Sequence, residues 1–517
     1  MSAGNGFARF VHDVSPYLIG IIAIVALGPF QFGFHLAELN APQDVITCKQ
    51  KAISTSDLRA VVLGASKTTA IADCIPMSDA SFATVSSIFT IGGLLGALAA
   101  GPFTSKRGRW LSMQLTAVLY MIGAAIESLS TGLIMLSAGR FISGLGSGAS
   151  TVIVPLYISE VAPPAERGFF GAFTQISTNT GILAAQGLGY FLSHDSVWRW
   201  ILGTSGFIAA AQGLGTLLVP ESPAWTATVK GDIGKARRVL QRIRGAGGDI
   251  GDEVDAWGVG DGKITASAEE QGLLASDEAA LRPMSPRRTD SHTDKDRPTH
   301  LGFLDVMRDP LNRPAIVAVV GVQCAQQLCG INSIIMYSVS LLAGLLPLSS
   351  VVLTILVSVV NLVMTAACSP LPDKLGRKTC ILVSLVGQGC SSLMLALSIL
   401  FQVKVLSALS VLFFVGFFAV GLGPVPFILA SELVGQEAVG ATQSWSLAAN
   451  YTATYLVAQF FPVINRALNE KFGGAGWVYF MFAAFAAVFG LFIFWHVPET
   501  KGKKSADEVW GRTRRID

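Results

Sequence analysis

Charge is what this chain has least of. Asp, Glu, Lys and Arg make up 14% of its 517 residues, where about 25% is usual in a soluble protein. The net charge is only +3, which excludes a nucleic-acid binder working by electrostatic attraction. Cysteine is sparse, at seven, so a disulfide scaffold is excluded. Cys324, Cys329, Cys368, Cys380 and Cys390 fall in or beside apolar runs, where a thiol is a small hydrophobe. No cleavable signal is evident, because 1–15 is short and polar and the apolar run behind it lacks a small-residue cleavage site.

Apolar sequence fills the space. Hydrophobic residues reach 51% and mean hydropathy is +0.55. A soluble surface this greasy would aggregate. The composition therefore excludes an ordinary soluble enzyme or a disordered scaffold and predicts an all-α, polytopic membrane protein.

A helix needs about 20 mostly apolar residues to cross the hydrocarbon core. Long apolar runs, several of them free of charge, predict twelve spans, near 16–39, 82–103, 110–129, 133–157, 167–192, 198–219, 314–343, 349–371, 379–401, 406–431, 439–463 and 476–497. Basic residues set orientation. Lys106, Arg107 and Arg109 follow the second span, Lys374, Arg377 and Lys378 the eighth, and Lys501, Lys503 and Lys504 the twelfth. Both termini are expected on the cytoplasmic side.

The expected organisation is a cytoplasmic N-terminus (1–15), a six-helix bundle (16–220) with an outer loop (40–80), a cytoplasmic linker (221–313), a second bundle (314–500) and a tail (501–517). The outer loop holds Cys48 and Cys74, which either pair in an oxidising compartment or stay free. In the linker, Lys230–Arg244 reads as a basic amphipathic helix with Ile233, Ala236, Val239, Leu240 and Ile243 on one stripe. Gly245–His300 reads as a partly disordered, solvated insert, with Ser285-Pro286-Arg287-Arg288 as a candidate phosphosite.

Short patterns recur about 270 residues apart. Ser105-Lys106-Arg107-Gly108-Arg109 returns as Asp373-Lys374-Leu375-Gly376-Arg377. Ser159-Glu160 returns as Ser431-Glu432, and Pro220-Glu221-Ser222 as Pro498-Glu499-Thr500. Three matches in order predict two related halves, the arrangement that places a substrate at the midplane and works by rocking. Transport is the function class this implies, with no catalytic residue, metal or cofactor.

Polar residues inside spans face the bundle or a cavity. Here they are neutral amides: Gln175 and Gln186 in the fifth span, Gln323, Gln326, Gln327 and Asn332 in the seventh, Asn361 in the eighth and Asn450 in the eleventh. Amides both donate and accept hydrogen bonds, which suits a neutral polyol and not a charged solute. Any one of them could instead be interhelical glue. Gly330 weakens the seventh span. Gly421, Gly423, Pro424 and Pro426 break the tenth, and such interruptions point to a site and a gate.

These residues resemble the sugar porters of the major facilitator superfamily. The likeness lies in Phe32-Gly33-Phe34 with Asn40-Ala41-Pro42-Gln43, in Gly139-Arg140 with Gly144, Gly146 and Gly148, and in Pro155-Leu156-Tyr157-Ile158-Ser159-Glu160 with Arg167-Gly168. Gln326-Gln327-Leu328-Cys329-Gly330-Ile331-Asn332 and Pro498-Glu499-Thr500-Lys501-Gly502 extend it. The resemblance implies that Gln175, Gln326, Gln327, Asn332, Asn361 and Asn450 bind sugar hydroxyls and that Tyr337 belongs to an outer gate. It implies that Arg109, Glu160, Arg167, Glu221, Arg377, Glu432 and Glu499 form cytoplasmic ion pairs holding the halves together when the site faces outward. Phe427 stands where many members line the site with Trp. Ser105 stands where the family has Asp.

His35 occupies the place of an Asp that faces the equivalent of Arg140 in proton-coupled members. Facilitated diffusion of a hexose is therefore the expectation. The alternatives are proton symport with Glu38 as the carboxylate for Arg140, a nutrient sensor built on the transporter frame, and a porter of a non-sugar solute such as inositol. The expected partners are the sugar, the bilayer and, under symport, protons. A monomer in the plasma membrane or an organelle membrane is expected.

Overall fold

The computed structural model describes residues 15–49, 73–163, 166–245, 249–255, 257, 303–341, 350–435, 438–503 and 506–512. Ser285 and most of Gly245–His300 lie outside the described residues. All twelve expected spans are helices, and no strand occurs among the described residues. With no water in the hydrocarbon core, long apolar runs must satisfy their backbone within the segment, and a helix does so.

The first half comprises α1 (Pro16–Val25), α2 (Leu27–Ala37), α3 (Asp79–Arg107), α4 (Arg109–Ser128), α5 (Leu133–Val161), α6 (Arg167–Leu192) and α7 (Trp198–Thr216). The linker helix α8 (Ile233–Arg244) follows. The second half comprises α9 (Arg313–Leu328), α10 (Ile331–Leu341), α11 (Ser350–Cys368), α12 (Arg377–Leu400), α13 (Lys404–Val420), α14 (Val425–Glu432), α15 (Val439–Phe472) and α16 (Trp477–His496). Three spans are thus made of two helices each. Nine of the spans are long and apolar enough to cross a membrane on length and composition alone, among the described residues. Spans α6, α7 and α15 fall short of that measure.

Two interruptions have identifiable causes. Gly330 sits between α9 and α10 at a φ of 101°, a conformation that favours glycine, and a Cβ there would meet the Phe482 ring at 2.6 Å. Between α13 and α14, Pro424 has no N–H to donate, and Gly423 N donates to the carbonyl of Phe418 at 2.9 Å. Helices α3 and α5 pack backbone to backbone, and a Cβ on Gly148 would collide with the Gly93 carbonyl. Small residues allow such approach in membrane bundles.

The halves meet along α3–α15 and α6–α11. One end of the molecule carries the Cys48–Cys74 disulfide, which settles the pairing left open by the sequence. The loop it closes is anchored by Ile46 and Ile75, both buried, and by Trp198, whose indole N–H donates to the Asp73 carbonyl at 2.8 Å. The opposite end carries α8. Asp232 caps α8 through the Lys235 N–H at 2.9 Å, and Ala236, Leu240 and Ile243 are buried beneath it. Its partner is the start of α1: Ser15 Oγ donates to the Ile243 carbonyl, and Arg242 lies over the Tyr17 ring.

Candidate functional site

A cavity of about 610 Å³, its open mouth included, lies between the halves. Gln175, Gln326, Gln327, Asn332, Asn361, Phe427 and Asn450 all line it. Among the described residues, no Asp, Glu, Lys or Arg does. The amides form two chains of hydrogen bonds. In the second half, Asn450 donates to Gln323 at 2.8 Å and to Gln326 at 2.6 Å. Gln327 donates to Gln326 at 3.2 Å, and Asn332 donates to Gln327 at 2.5 Å and to Thr454 at 3.2 Å. Gln326 in turn donates to the Leu422 carbonyl at 2.6 Å and the Gly423 carbonyl at 3.2 Å. The break at Gly423, Pro424 and Pro426 thus frees backbone acceptors that hold a cavity amide in place.

The second chain crosses between the halves. Gln175 donates to Asn179 at 3.2 Å. Asn179 donates to Asn361 at 3.3 Å and to Thr365 at 2.8 Å. Neither Asn179 nor Thr454 was singled out in the sequence, although each sits one helical turn from a residue that was: Asn179 from Gln175, Thr454 from Asn450. Phe32, Thr90, Thr178 and Tyr451 also line the cavity. Tyr451 packs on Gly93, and its hydroxyl is 3.2 Å from that of Thr151. Gln323 stands behind the wall, supporting Asn450. Gln186 is interhelical glue, accepting from Ser358 across the halves.

Further inter-half bonds run from mid-depth to the disulfide end. Asn40 donates to the Ile335 carbonyl at 2.9 Å, Ser87 donates to Gln459 at 2.7 Å, and Arg466 pairs with Asp79. Within the second half, Tyr337 donates to the Ala458 carbonyl at 2.6 Å and stacks on Phe461. The disulfide end is the closed end.

Behind the cavity, within the first half, lies a buried polar cluster. Arg140 donates to Glu38 Oε1 at 2.5 Å and to the His35 carbonyl at 2.8 Å, with its guanidinium 4.5 Å from the Phe89 centroid. His35 Nδ1 lies 2.7 Å from the same Glu38 oxygen, and its ring stacks on Tyr120. Glu127 joins from α4, accepting from Ser143 at 2.7 Å. The sequence reading missed Glu127, because a carboxylate two residues from the end of a span looks like a solvated boundary.

The repeated charges build the same fork twice at the other end. Arg109 donates from Nε and Nη2 to Glu160 at 2.9 and 2.6 Å, and Arg377 donates to Glu432 at 2.9–3.2 Å. Glu221 and Glu499 meet the fork arginines through the backbone in this state. Each accepts the backbone N–H of the fork arginine, at 2.8 Å for Arg109 and 2.7 Å for Arg377. Each arginine follows a glycine at positive φ, Gly108 or Gly376. Asp373 adds a 2.9 Å pair to Arg377, where Ser105 offers none to Arg109. In this state, closed at the disulfide end, the forks observed tie helices within a half. Arg167 opens α6, but its side chain lies outside the described residues.

The comparisons agree with this architecture. A probable metabolite transport protein of Saccharomyces cerevisiae is 31% identical over 518 residues, covering 98% of both chains. Solute carrier family 2, facilitated glucose transporter member 3, of Ovis aries is 29% identical over 500 residues, covering 95% of this chain and 91% of the relative. The partially occluded inward open structure of the xylose transporter XylE from E. coli superposes with a TM-score of 0.69 at 22% identity, covering 95% of this chain and all of that one. That likeness shows the twelve-helix major facilitator fold. The family model described as "Sugar (and other) transporter" matches residues 21–510, and the chain belongs to that family of integral membrane transporters.

Proposed function

We propose that the protein moves a neutral hexose down its gradient by alternating access, as a monomer. The observation that carries this reading is the uncharged, amide-lined cavity between two halves joined at one end. A sugar hydroxyl both donates and accepts, so it can replace the bonds that Asn179, Gln327, Asn332 and Asn450 make with one another. Charged solutes would have no counter-charge in the cavity and would lose their hydration. The names of the sugar-transporting relatives support the same substrate class.

Both termini face the cytoplasm in this reading, and the disulfide end faces an oxidising exterior or lumen. The closed disulfide end then corresponds to an inward-facing state. Gln175, Asn361 and Phe427 contact the sugar. Tyr337 closes the outer path, and the break at Gly423, Pro424 and Pro426 lets the seventh and tenth spans move. Proton symport is a second reading, favoured by one observation: the buried Glu38–Arg140 pair.

Radiolabelled hexose entry into proteoliposomes tests the proposal. Saturable flux, competed by hexoses more strongly than by inositol or disaccharides, is the expected result. No saturable flux of any sugar would refute it and favour a sensor; preferential flux of inositol would move the substrate class. Alkalinisation of the medium on a sugar pulse, with uphill uptake, would replace facilitated diffusion by symport.

A further inference from the structure

The cluster behind the cavity has one carboxylate too many. Arg140 is the cation bonded to it, and Glu38 is the carboxylate bonded to Arg140. Glu127 is as deeply buried as Glu38, both with no exposed surface. One ring nitrogen of His35 and one oxygen each of Glu38 and Glu127 lie within 4.8 Å of one another. Four buried atoms of the group lack a hydrogen-bond partner: His35 Nε2, Glu38 Oε2, Glu127 Oε2 and Arg140 Nε. Two carboxylates this close in a dry site do not both stay ionised.

We propose that Glu38 and Glu127 form a proton-binding site in which one proton is held between the two carboxyl groups, and that this proton is lost when the disulfide end opens. The charge balance selects the proton. Two carboxylates and Arg140 sum to minus one, with His35 neutral and acting as a donor from Nδ1. One proton brings the cluster to zero. A divalent metal ion would leave it at plus one beside a guanidinium, inside a low-dielectric bundle.

The surroundings supply the link to movement. The groups facing the site are Tyr120 from α4, stacked on His35, and Arg140 from α5. Arg199 of α7 donates to the carbonyls of Ser128 and Ser130 beside Glu127. Helix α3 contributes Phe89, an apolar wall. Two residues after Glu38, Asn40 bridges the halves through the Ile335 carbonyl. Separating the halves there removes the dry cover, admits water to the Glu38 and Glu127 oxygens and releases the proton to that side.

The second part rests on the alternating-access reading; the proton site itself does not. Infrared difference spectroscopy of the purified, sugar-free protein tests the site directly. The expected result is a carboxylic acid C=O band at neutral pH that disappears in Glu127→Gln while the fold is kept. Absence of the band, its survival in Glu127→Gln, or a stoichiometric divalent metal in the purified protein would overturn the proposal. Transport then tests the link. Wild-type exchange should change several-fold with pH on the disulfide side, and Glu127→Gln, which mimics the protonated carboxyl, should flatten that dependence. An unchanged pH profile in Glu127→Gln would overturn the link, whether or not net flux is coupled to protons.

Discussion

Arg466 of the second half reaches Asp79 of the first, and Lys49 beside the disulfide meets the same carboxylate. Among the described residues this is the ion pair that joins the halves. Asp79 opens α3 and Arg466 lies in the last two turns of α15, so the pair spans the mouth that parts in the proposed exchange of states. Arg466 is 62% exposed, and exposed pairs contribute about 0–1 kcal/mol. Asp79→Asn should therefore shift the closed-to-open ratio at the disulfide end by up to roughly fivefold toward open. Distances between spin labels on the ends of α3 and α15 would read the shift, and high salt should reproduce part of it in the wild type.

The disulfide should act on stability. Its bridge closes a segment with a sequence separation of 26, and a loop of that size constrains the unfolded chain by roughly 3 kcal/mol. Cys48→Ser with Cys74→Ser should lower Tm, and a reductant should lower the wild-type Tm alike. Cys324→Ser should leave the response to reductant intact. A wild-type Tm indifferent to reductant would contradict the assignment.

The cavity predicts its own sensitivities. Asn450 donates to two glutamines of the seventh span, and Asn179 links the fifth span to the eighth. Asn450→Ala should raise the KM for sugar roughly tenfold or more, the cost of about two hydrogen bonds and the partner amides left unmet. Asn179→Ala should do the same and also loosen the contact to Asn361 and Thr365. Gln186→Ala should leave KM nearly unchanged, because Gln186 meets Ser358 away from the cavity. Concentration-dependent uptake of labelled hexose by the reconstituted variants would check all three.

How far these features were legible in the sequence depends on how local each signal is. Helix existence is local: a mostly apolar run of twenty residues has few other options in a bilayer, so all twelve spans could be read. The amides of α6, α9, α11 and α15 stood out because polar residues are costly there. Their neighbours Thr178, Asn179 and Thr454 were less visible, being weakly polar or displaced by one turn. Glu127 was illegible for another reason. Its sequence neighbourhood is that of a span boundary, and only the crossing of α4 with α5, next to the glycine packing of α5 on α3, buries it opposite Glu38. The parts played by Glu221 and Glu499 were also hidden. Motif position suggested ion pairs, whereas the chain path brings each carboxylate to a helix N-terminus, where backbone N–H groups lack partners.

That last arrangement yields a prediction that separates two roles for the forks. Arg109 and Glu160 both belong to the first half, and Arg377 and Glu432 both belong to the second. A fork confined to one half stiffens it and leaves the ratio of states alone; a fork holding half to half would bias that ratio. Glu160→Gln removes the charge that Arg109 meets through two nitrogens, an interaction of roughly 2 kcal/mol. Arg109→Lys should cost a similar amount, since an ammonium cannot make the paired contact. Both variants should lower Tm while the label distances across the disulfide end stay at their wild-type values. In the second half Thr500 also donates to Glu432 and Asp373 adds a second pair to Arg377, so Glu432→Gln leaves Arg377 a remaining partner and should lower Tm less than Glu160→Gln. A change in label distances without a change in Tm would instead give these residues the half-to-half role that their motifs suggested.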